Sequence, residues 1–283
     1  MEIIKTIAEL QSKIKKLKLS GRTVGFVPTM GYLHEGHLTL VREAKKSCDV
    51  VVVSIFVNPL QFGPKEDFSR YPRDFERDCG MLEKEKVDIV FAPESEEMYK
   101  TGFQTFVEVT EVTKTLCGAS RPGHFRGVTT VVLKLFNAVM PDKAFFGMKD
   151  FQQLVTVERM VKDLNLDLEV VGVPIVREKD GLAMSSRNTY LSEEERRSAL
   201  SLNKSLEKAK ELVGRGERDV KVILGEVTKI IKESPFTKID YVKICNPETL
   251  GYIEEGMLKE RALLALAVFV GKTRLIDNTL LEV

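Results

Sequence analysis

The sequence predicts an α/β protein, built on a doubly wound parallel sheet and followed by a smaller C-terminal α+β domain. Short apolar runs alternate with helical patterns up to about residue 180, which is typical of βαβ units. The run at 49–57 is largely β-branched, as expected for a strand buried on both faces of a parallel sheet. After about residue 188 the pattern changes to long charged helices and then strands. We therefore expect a Rossmann-like domain at 1–180 and an α+β domain at 181–283, the second covering the site of the first.

The first domain is predicted to open with a helix at 3–19, because Ile4, Ile7, Leu10, Ile14 and Leu17 recur at helical spacing. Five strands are then expected, at 23–28, 49–57, 87–92, 143–146 and 168–176. The helices between them are expected at 37–47, 75–85, 128–140 and 151–164. A sheet of this kind binds its ligands at the carboxyl ends of its strands.

The second domain is predicted to begin with a capped helix. Ser192 followed by Glu195 is a capping-box pattern, and the helical periodicity continues to about residue 213. A second helix is expected at 220–232, because Pro235 follows it closely. Strands are expected at 239–244, 263–270 and 274–277.

Composition excludes several classes of protein. The chain has 43 Lys and Arg against 42 Asp and Glu, a net charge of +1, so it lacks the basic excess typical of nucleic-acid binders. The apolar run at 262–270 is far shorter than the ~20 residues that span a bilayer, and the N-terminus has no signal-peptide pattern. The four cysteines are widely scattered, as in reduced intracellular proteins. We expect a cytoplasmic protein with neither a nucleic-acid nor a membrane partner.

The sharpest motif follows the first predicted sheet strand and reads PTMGYLHEGH at 28–37. A glycine-containing loop that leads into a helix N-terminus is suited to bind an anion. Its two histidines do not fit the HExxH zinc pattern, because position 38 is leucine. The GxGxxG dinucleotide fingerprint is absent here, and the Gly271-Lys272-Thr273 segment lacks the first glycine of a Walker A loop. A HxGH nucleotide-binding motif remains, with a purely structural histidine pair as the alternative.

Two further loops have anion-binding character. Lys149 and Asp150 lie where the predicted 143–146 strand leads into a helix, so they can reach phosphate, ribose or a metal-bound water. An ordinary N-cap at Asp150 is the alternative. The segment 184–188, MSSRN, offers two hydroxyls and a guanidinium. Because each loop follows a different strand of one sheet, we expect the three to converge on one crevice.

From end to end the chain resembles the pantothenate synthetase (pantoate–β-alanine ligase) family of the nucleotidylyl transferase superfamily, whose members carry a HIGH-type motif. The resemblance rests on PTMGYLHEGH at 28–37, NPLQF at 58–62, YPR at 71–73, RPGHFRG at 121–127, FGMKDFQQ at 146–153 and MSSRN at 184–188.

The resemblance implies a ligase that forms a carbon–nitrogen bond. Such an enzyme condenses (R)-pantoate with β-alanine through a pantoyl adenylate, consumes ATP with the help of Mg²⁺, and releases AMP and pyrophosphate. It also implies a homodimer that supplies a coenzyme A precursor. Two other functions stay open, namely nucleotidyl transfer to a phosphorylated small molecule, and nucleotide binding without catalysis.

The resemblance also implies roles for individual residues. His37 is the expected catalytic residue, with His34 and Lys149 beside the phosphates. Pantoate is expected on Gln61 and Gln153, and β-alanine on Gln61, while Met30 and Phe62 are candidates to pack the gem-dimethyl group. No metal ligand is assigned. The expected ATP-binding residues are Met30, Gly31, Tyr32, Leu33, His34, Glu35, Gly36, His37, Gly147, Met148, Lys149, Asp150, Val176, Met184, Ser185, Ser186 and Arg187.

Overall fold

The computed structural model describes residues 1–64 and 66–283. Its strands are β1 (Glu2–Ile4), β2 (Val24–Thr29), β3 (Val50–Ile55), β4 (Ile89–Phe91), β5 (Lys143–Gly147), β6 (Glu169–Val173), β7 (Thr237–Cys245), β8 (Ala262–Val270) and β9 (Thr273–Leu281). Its α-helices are α1 (Ile7–Leu19), α2 (Glu35–Ser47), α3 (Phe75–Lys84), α4 (Ser95–Met98), α5 (Leu116–Ser120), α6 (His124–Val139), α7 (Phe151–Asp163), α8 (Glu193–Gly214) and α9 (Val220–Lys232).

Within the described residues the chain divides into two compact units. The first contains Met1–Val109, Arg121–Met148 and Gln153–Pro174. The second contains Thr110–Ser120, Lys149–Gln152 and Ile175–Val283. The second unit therefore includes two short segments that precede its main part in the sequence. The contiguous division at 180/181 stays a prediction.

The first unit is built on a parallel sheet with the strand order β1-β4-β3-β2-β5-β6. Its β3 segment Val50–Val53 is buried throughout, as its β-branched sequence predicts. The strand order reverses between β2 and β5, so their carboxyl ends border the topological switch point of the sheet.

Helices cover both faces of this sheet, and β2 shows how. Neighbouring residues of a strand point to opposite faces. Phe26 packs edge-on against Phe136 of α6, with 6.4 Å between ring centroids. The next residue, Val27, belongs to an apolar cluster that contains Leu38 and Val41 of α2. The doubly wound arrangement predicted from the sequence is confirmed.

The second unit contains an antiparallel sheet in the order β7-β8-β9, with α8 and α9 packed on it. The predicted capping box is present at the start of α8. The Glu195 N–H donates to Ser192 Oγ (3.2 Å), and the Ser192 N–H donates to Glu195 Oε2 (2.9 Å). A smaller α+β unit in the C-terminal part of the chain is therefore confirmed.

The prediction was wrong at residues 3 and 4, which belong to β1 rather than to the first turn of a helix. The β1 strand pairs in parallel with β4, and Ile4 lies opposite Phe91. Helix α1 begins only at Ile7, after an N-cap at Thr6 whose side chain accepts from the Glu9 N–H. The last strand of this sheet also ends earlier than predicted, at Val173, because Pro174 follows it.

Candidate active site

The loop after β2 places two histidine rings together at the start of α2. His34 is the N-cap, and the first turn of α2 contains His37. The two ring centroids are 4.0 Å apart and the ring planes are inclined by 32°. Because β2 borders the switch point, the helix N-terminus and both rings lie at the edge of the sheet where ligands bind.

The backbone fixes which nitrogen of His37 donates. The His34 N–H donates to His37 Nδ1 at 3.2 Å, so Nδ1 acts as an acceptor. We therefore assign the proton of neutral His37 to Nε2. The first N–H groups of any α-helix have no partner within the helix, and they carry a partial positive charge. His37 thus adds an N–H donor to a helix terminus that already favours anions.

A buried carboxylate holds the loop between β2 and α2. Asp78 of α3 is 1% exposed, and its two oxygens accept from the N–H groups of Tyr32 and Leu33, each at 2.7 Å. Arg77 donates to the Leu33 carbonyl oxygen (2.9 Å) and lies over the Tyr32 ring. Burial raises the pKa of Asp78 despite these hydrogen bonds and the charge of Arg77. The loop conformation is therefore determined from α3, outside the motif itself.

The same loop requires left-handed backbone at two consecutive residues. Gly31 has φ +78° and Tyr32 has φ +49°. A Cβ at position 31 would lie 3.0 Å from Ile55 Cγ2 and 3.1 Å from Asp78 Oδ2. Glycine is thus required at Gly31 both by its backbone angle and by the closeness of Asp78.

Gln61 is oriented by a chain of hydrogen bonds that starts in the protein interior. The Gln61 amide nitrogen lies 3.1 Å from Met30 Sδ, and its Oε1 accepts from Asn58 Nδ2 at 3.0 Å. Asn58 is 1% exposed and its Oδ1 accepts from the Tyr99 hydroxyl at 2.7 Å. Burial raises the pKa of that phenol, which keeps it a neutral donor. The network fixes which way the Gln61 amide points.

The backbone around Gln61 is held from helix α6. The Asn58 Nδ2 also donates to the Gly127 carbonyl oxygen at 3.1 Å. A Cβ at Gly127 would overlap the carbonyl group of Leu60, so α6 lies directly against the 3₁₀ turn Pro59–Gln61. The close approach explains a glycine within the RPGHFRG motif.

A charged network surrounds the Gln61 carbonyl oxygen. Arg121 Nη2 donates to it at 3.3 Å, and His124 Nδ1 lies 2.8 Å from it. Arg121 also contacts His124 Nε2 at 2.9 Å and forms a two-pronged ion pair with Glu66, at 2.7 and 2.6 Å. All of these groups belong to the first unit.

In the second unit, Lys149 and Asp150 form a neighbouring pair of opposite charges. Lys149 Nζ lies 3.8 Å from Asp150 Oδ2, and the Asp150 side chain is 51% exposed. The Lys149 carbonyl oxygen accepts from Asn278 Nδ2 of β9 at 2.9 Å. The segment carrying the lysine is therefore anchored to the antiparallel sheet by its backbone.

The adjacent glutamines of the FGMKDFQQ motif have different roles. Gln152 is buried, and its amide donates to the carbonyl oxygens of Val112 (3.0 Å) and Thr115 (2.7 Å) and accepts from the Cys117 N–H (2.9 Å). Its hydrogen-bonding capacity is thus used to fix the 110–120 segment. Gln153, half-buried and in the first unit, is the one of the two suited to a ligand.

The MSSRN segment is presented by a short hairpin. The Met184 N–H donates to the Val176 carbonyl oxygen at 3.0 Å, and Arg177 pairs with Ala183 across the hairpin. Ser185 then caps the 3₁₀ helix Ser186–Tyr190, and its Oγ accepts from the Arg187 N–H at 3.3 Å. A carbonyl oxygen has two lone pairs, so that of Val176 can accept a second hydrogen bond.

An ion pair fixes this hairpin on β9. Arg177 donates through both of its terminal nitrogens to Asp277, at 2.7 and 3.0 Å, and the Asp277 side chain is 1% exposed. Asn188 is held through its Nδ2, which donates to Glu178 Oε1 at 2.7 Å. These contacts fix the backbone on either side of Ser185.

The structure therefore brings the predicted site residues together in two groups. In the first unit lie residues 30–37, Gln61, Gly147, Met148 and Gln153. In the second lie Lys149, Asp150, Val176 and residues 184–187. A single crevice formed by all three loops stays a prediction. Sequence reasoning missed the supporting residues Asp78, Asn58, Arg177 and Asp277.

Within the described part of the chain, no group of three or more His, Cys, Asp or Glu side chains is arranged to hold a metal ion. No helix in that part is long and apolar enough to cross a membrane.

Comparisons with known proteins agree with this geometry. The family model described as pantoate-beta-alanine ligase matches residues 2–280. A pantothenate synthetase of Caldicellulosiruptor bescii is 56% identical over 282 residues, which cover 100% of this chain and 99% of the relative.

Solved structures give the same result. The crystal structure of a pantothenate synthetase from Thermus thermophilus matches with a TM-score of 0.93 at 48% identity, over 99% of both chains. The pantoate-beta-alanine ligase of Francisella tularensis, complexed with beta-gamma ATP and beta-alanine, has a TM-score of 0.80 at 33% identity, over 99% of this chain and 97% of that one. This chain belongs to the pantoate–β-alanine ligase family.

Proposed function

We propose that this chain condenses (R)-pantoate with β-alanine to form pantothenate, with conversion of ATP to AMP and pyrophosphate. The observation that carries the proposal is the His34–His37 pair at the N-terminus of α2, at the switch point of a parallel sheet. Full-length similarity to ligases of this family supports the choice of substrates.

In the first step, a carboxylate oxygen of pantoate attacks the α-phosphorus of ATP. The bond from that phosphorus to the bridging oxygen breaks, and pyrophosphate leaves with the electron pair. A carboxylate is a poor electrophile, and adenylation gives its carbonyl carbon a good leaving group. Negative charge grows on the phosphate oxygens during this step, where the His37 Nε2–H and the N–H groups of α2 can stabilise it. This electrostatic role matters more here than proton donation, because attack at phosphorus mainly needs charge stabilisation.

In the second step, the neutral amine of β-alanine attacks the acyl carbon of pantoyl adenylate. The carbon–oxygen bond to AMP then breaks, AMP leaves with the electron pair, and the nitrogen loses a proton. A neutral amide at Gln61 suits the whole sequence, since it can hydrogen-bond a pantoate hydroxyl without neutralising the carboxylate that attacks in the first step.

We assign the nucleotide to residues 30–37, 147–150 and 184–187 and to Val176, with Lys149 on the phosphates and Asp150 beside the ribose. Pantoate is assigned to Gln61 and Gln153. The hydrogen bonds that fix Gln61 and the 184–187 segment support these assignments, because a preorganised site binds without ordering its own side chains.

Mg²⁺ fits the donor chemistry of this site through the substrate. Mg²⁺ is commonly held by one or two carboxylates together with substrate phosphates, and the half-exposed carboxylate of Asp150 beside Lys149 can reach a metal-bound water. When bound, the ion would neutralise charge on the triphosphate.

Two further properties belong to the proposal. We infer a cytoplasmic enzyme, supported by Cys48, Cys79, Cys117 and Cys245, which are free thiols, as is usual in a reducing compartment. We also infer a homodimer, by analogy with the family; sedimentation of the purified protein tests it, and a monomer at assay concentration would refute it.

Product analysis tests the reaction. With ATP, pantoate and β-alanine present, we expect AMP and pyrophosphate in equal amounts, and their accumulation should require both acids. A stable nucleotide-linked end product would indicate a nucleotidyltransferase, and ATP binding without turnover would indicate a binding module. With ¹⁸O in the pantoate carboxylate, one label should appear in AMP. Label found only in pyrophosphate or water would exclude the acyl adenylate.

A further inference from the structure

The assignment above leaves one charged group of the substrates without a partner. β-Alanine attacks through its amine but also carries a carboxylate, and Gln61 offers only a neutral amide. An anion taken out of water needs a counter-charge or several donors. A cationic side chain close to Gln61 is therefore the group to look for.

Arg121 meets this requirement by position. Its Nη2 donates to the Gln61 carbonyl oxygen at 3.3 Å, and its side chain is only 18% exposed. Its Nη1 contacts His124 Nε2 at 2.9 Å, and His124 Nδ1 is 2.8 Å from the same carbonyl oxygen. Since Nδ1 donates to that carbonyl, Nε2 accepts from Arg121. The guanidinium is thus held in one orientation, in direct contact with the backbone of Gln61, a proposed pantoate-binding residue.

The outer face of the guanidinium already binds a carboxylate. Glu66 accepts from Arg121 Nε at 2.7 Å and from Nη2 at 2.6 Å, the two-pronged geometry in which arginine recognises carboxylates. Burial alone would raise the pKa of Glu66, but the hydrogen bond and charge of Arg121 outweigh it, and the pKa is lowered. Glu66 is therefore ionised at neutral pH. Its side chain is 27% exposed, so an exchange with another carboxylate does not require unfolding of a core element.

We propose that Arg121 binds the carboxylate of β-alanine, and that Glu66 occupies this position when the amine substrate is absent. The proposal rests on the ligase function above and deepens it. β-Alanine separates its amine from its carboxylate by two methylene groups. A carboxylate on Arg121 therefore lets the amine extend toward Gln61, where the acyl group of the adenylate is assigned. Arg121 thereby selects amino acids over plain amines, and Glu66 competes with the substrate for it.

The two half-reactions separate this role from the proposed function. Pantoate-dependent exchange of pyrophosphate into ATP reports adenylation and needs no amine. In Arg121→Met we expect that exchange to stay within about twofold of the parent protein. The KM for β-alanine should rise about 10- to 100-fold, as for loss of a charge-assisted hydrogen bond. If the parent protein shows no exchange, the ligase function fails, whatever Arg121 does.

A plain amine provides a second readout. Propylamine resembles β-alanine but has no carboxylate. Its rate of pantoyl transfer should be nearly the same in Arg121→Met as in the parent protein. The preference for β-alanine over propylamine should therefore fall by the factor by which the KM rises, and Arg121→Lys should restore part of it. An unchanged preference in Arg121→Met would overturn the proposal.

Glu66→Gln distinguishes substrate binding from a merely structural ion pair. Competition predicts that this variant lowers the KM for β-alanine by about threefold to tenfold, because a charged competitor is removed. If Arg121 only anchors the Glu66 segment, Glu66→Gln should instead impair both half-reactions, as Arg121→Met would, and the proposal would be wrong. Arg126→Met is the matched control, since Arg126 is an exposed residue of α6 stacked on Phe106, and it should change neither readout.

Discussion

The most informative perturbation is Asp78→Ala, because Asp78 supports the nucleotide loop without belonging to its motif. The substitution removes the acceptors of the Tyr32 and Leu33 N–H groups, both at 2.7 Å. A buried donor without its acceptor costs about 1–3 kcal/mol, so the two together cost about 2–6 kcal/mol. Loss of the buried charge offsets part of this, since burial is what raises the pKa of Asp78. We expect a net loss of about 2–4 kcal/mol in the free energy of unfolding.

Urea unfolding measures the stability, and steady-state kinetics measure the effect on the site. The midpoint should fall at an unchanged m-value. The kcat/KM for ATP should fall about 10-fold or more, because misplacing a site by about 1 Å can cost about 10²-fold.

Asp88→Ala is the matched control for this experiment. The Asp88 carboxylate also accepts a backbone N–H, from Val51 at 2.8 Å, but near the start of β3 rather than at the ligand edge. It should lower stability and leave the KM for ATP unchanged. If Asp78→Ala were within about 0.5 kcal/mol of the parent protein, or if both variants changed the KM equally, the reasoning about the loop would be refuted.

Three further outcomes are expected. The folded-state pKa of Asp78 is raised above 3.8. The stability of the parent protein relative to Asp78→Asn should therefore fall as pH rises from about 3.8 through the folded pKa, and then stay constant. Urea titrations that show the opposite slope would contradict this expectation. His37→Ala and Lys149→Ala should each lower kcat by about 10²-fold or more in the product assay, and near-parental turnover would remove that residue from the mechanism. Gly127→Ala should lose about 1–3 kcal/mol in urea unfolding, because its Cβ would overlap a backbone carbonyl, whereas Gly225→Ala in α9 has open space and should lose nothing.

The main strands and helices of the fold could be predicted because their patterns are long or strongly apolar. The all-apolar stretch Val50–Val53 and the capping box at Ser192 are examples of such signals. The β1 strand could not be predicted, since three residues with two isoleucines fit the periodicity of the following helix, and only pairing with β4 makes them a strand. The prediction ended β9 at residue 277, because Asp277 and Asn278 interrupt the apolar pattern. Both residues are buried, and the strand continues to Leu281.

The motif residues of the site could be read from the sequence, but their supports could not. Asp78 lies in the charged stretch 74–78, which resembles an exposed helical surface. One available signal was its spacing from Leu82, which is one turn further along and fully buried, so both lie on the same face of α3. Asn58 belongs to the NPLQF motif, but its supporting role gave no comparable signal, since that role depends on Tyr99, 41 positions away.

The short strand β1 has a consequence for the behaviour of the whole sheet in solution. It lies at the outer end of the strand order, and Ile4, which pairs with Phe91 of β4, is completely buried. Without β1, the hydrogen-bonding groups of β4 would form an open, apolar edge, the kind of surface on which sheets of separate molecules join. The β1 strand therefore protects the protein against aggregation. Its loss should increase aggregation in solution rather than lower catalytic turnover.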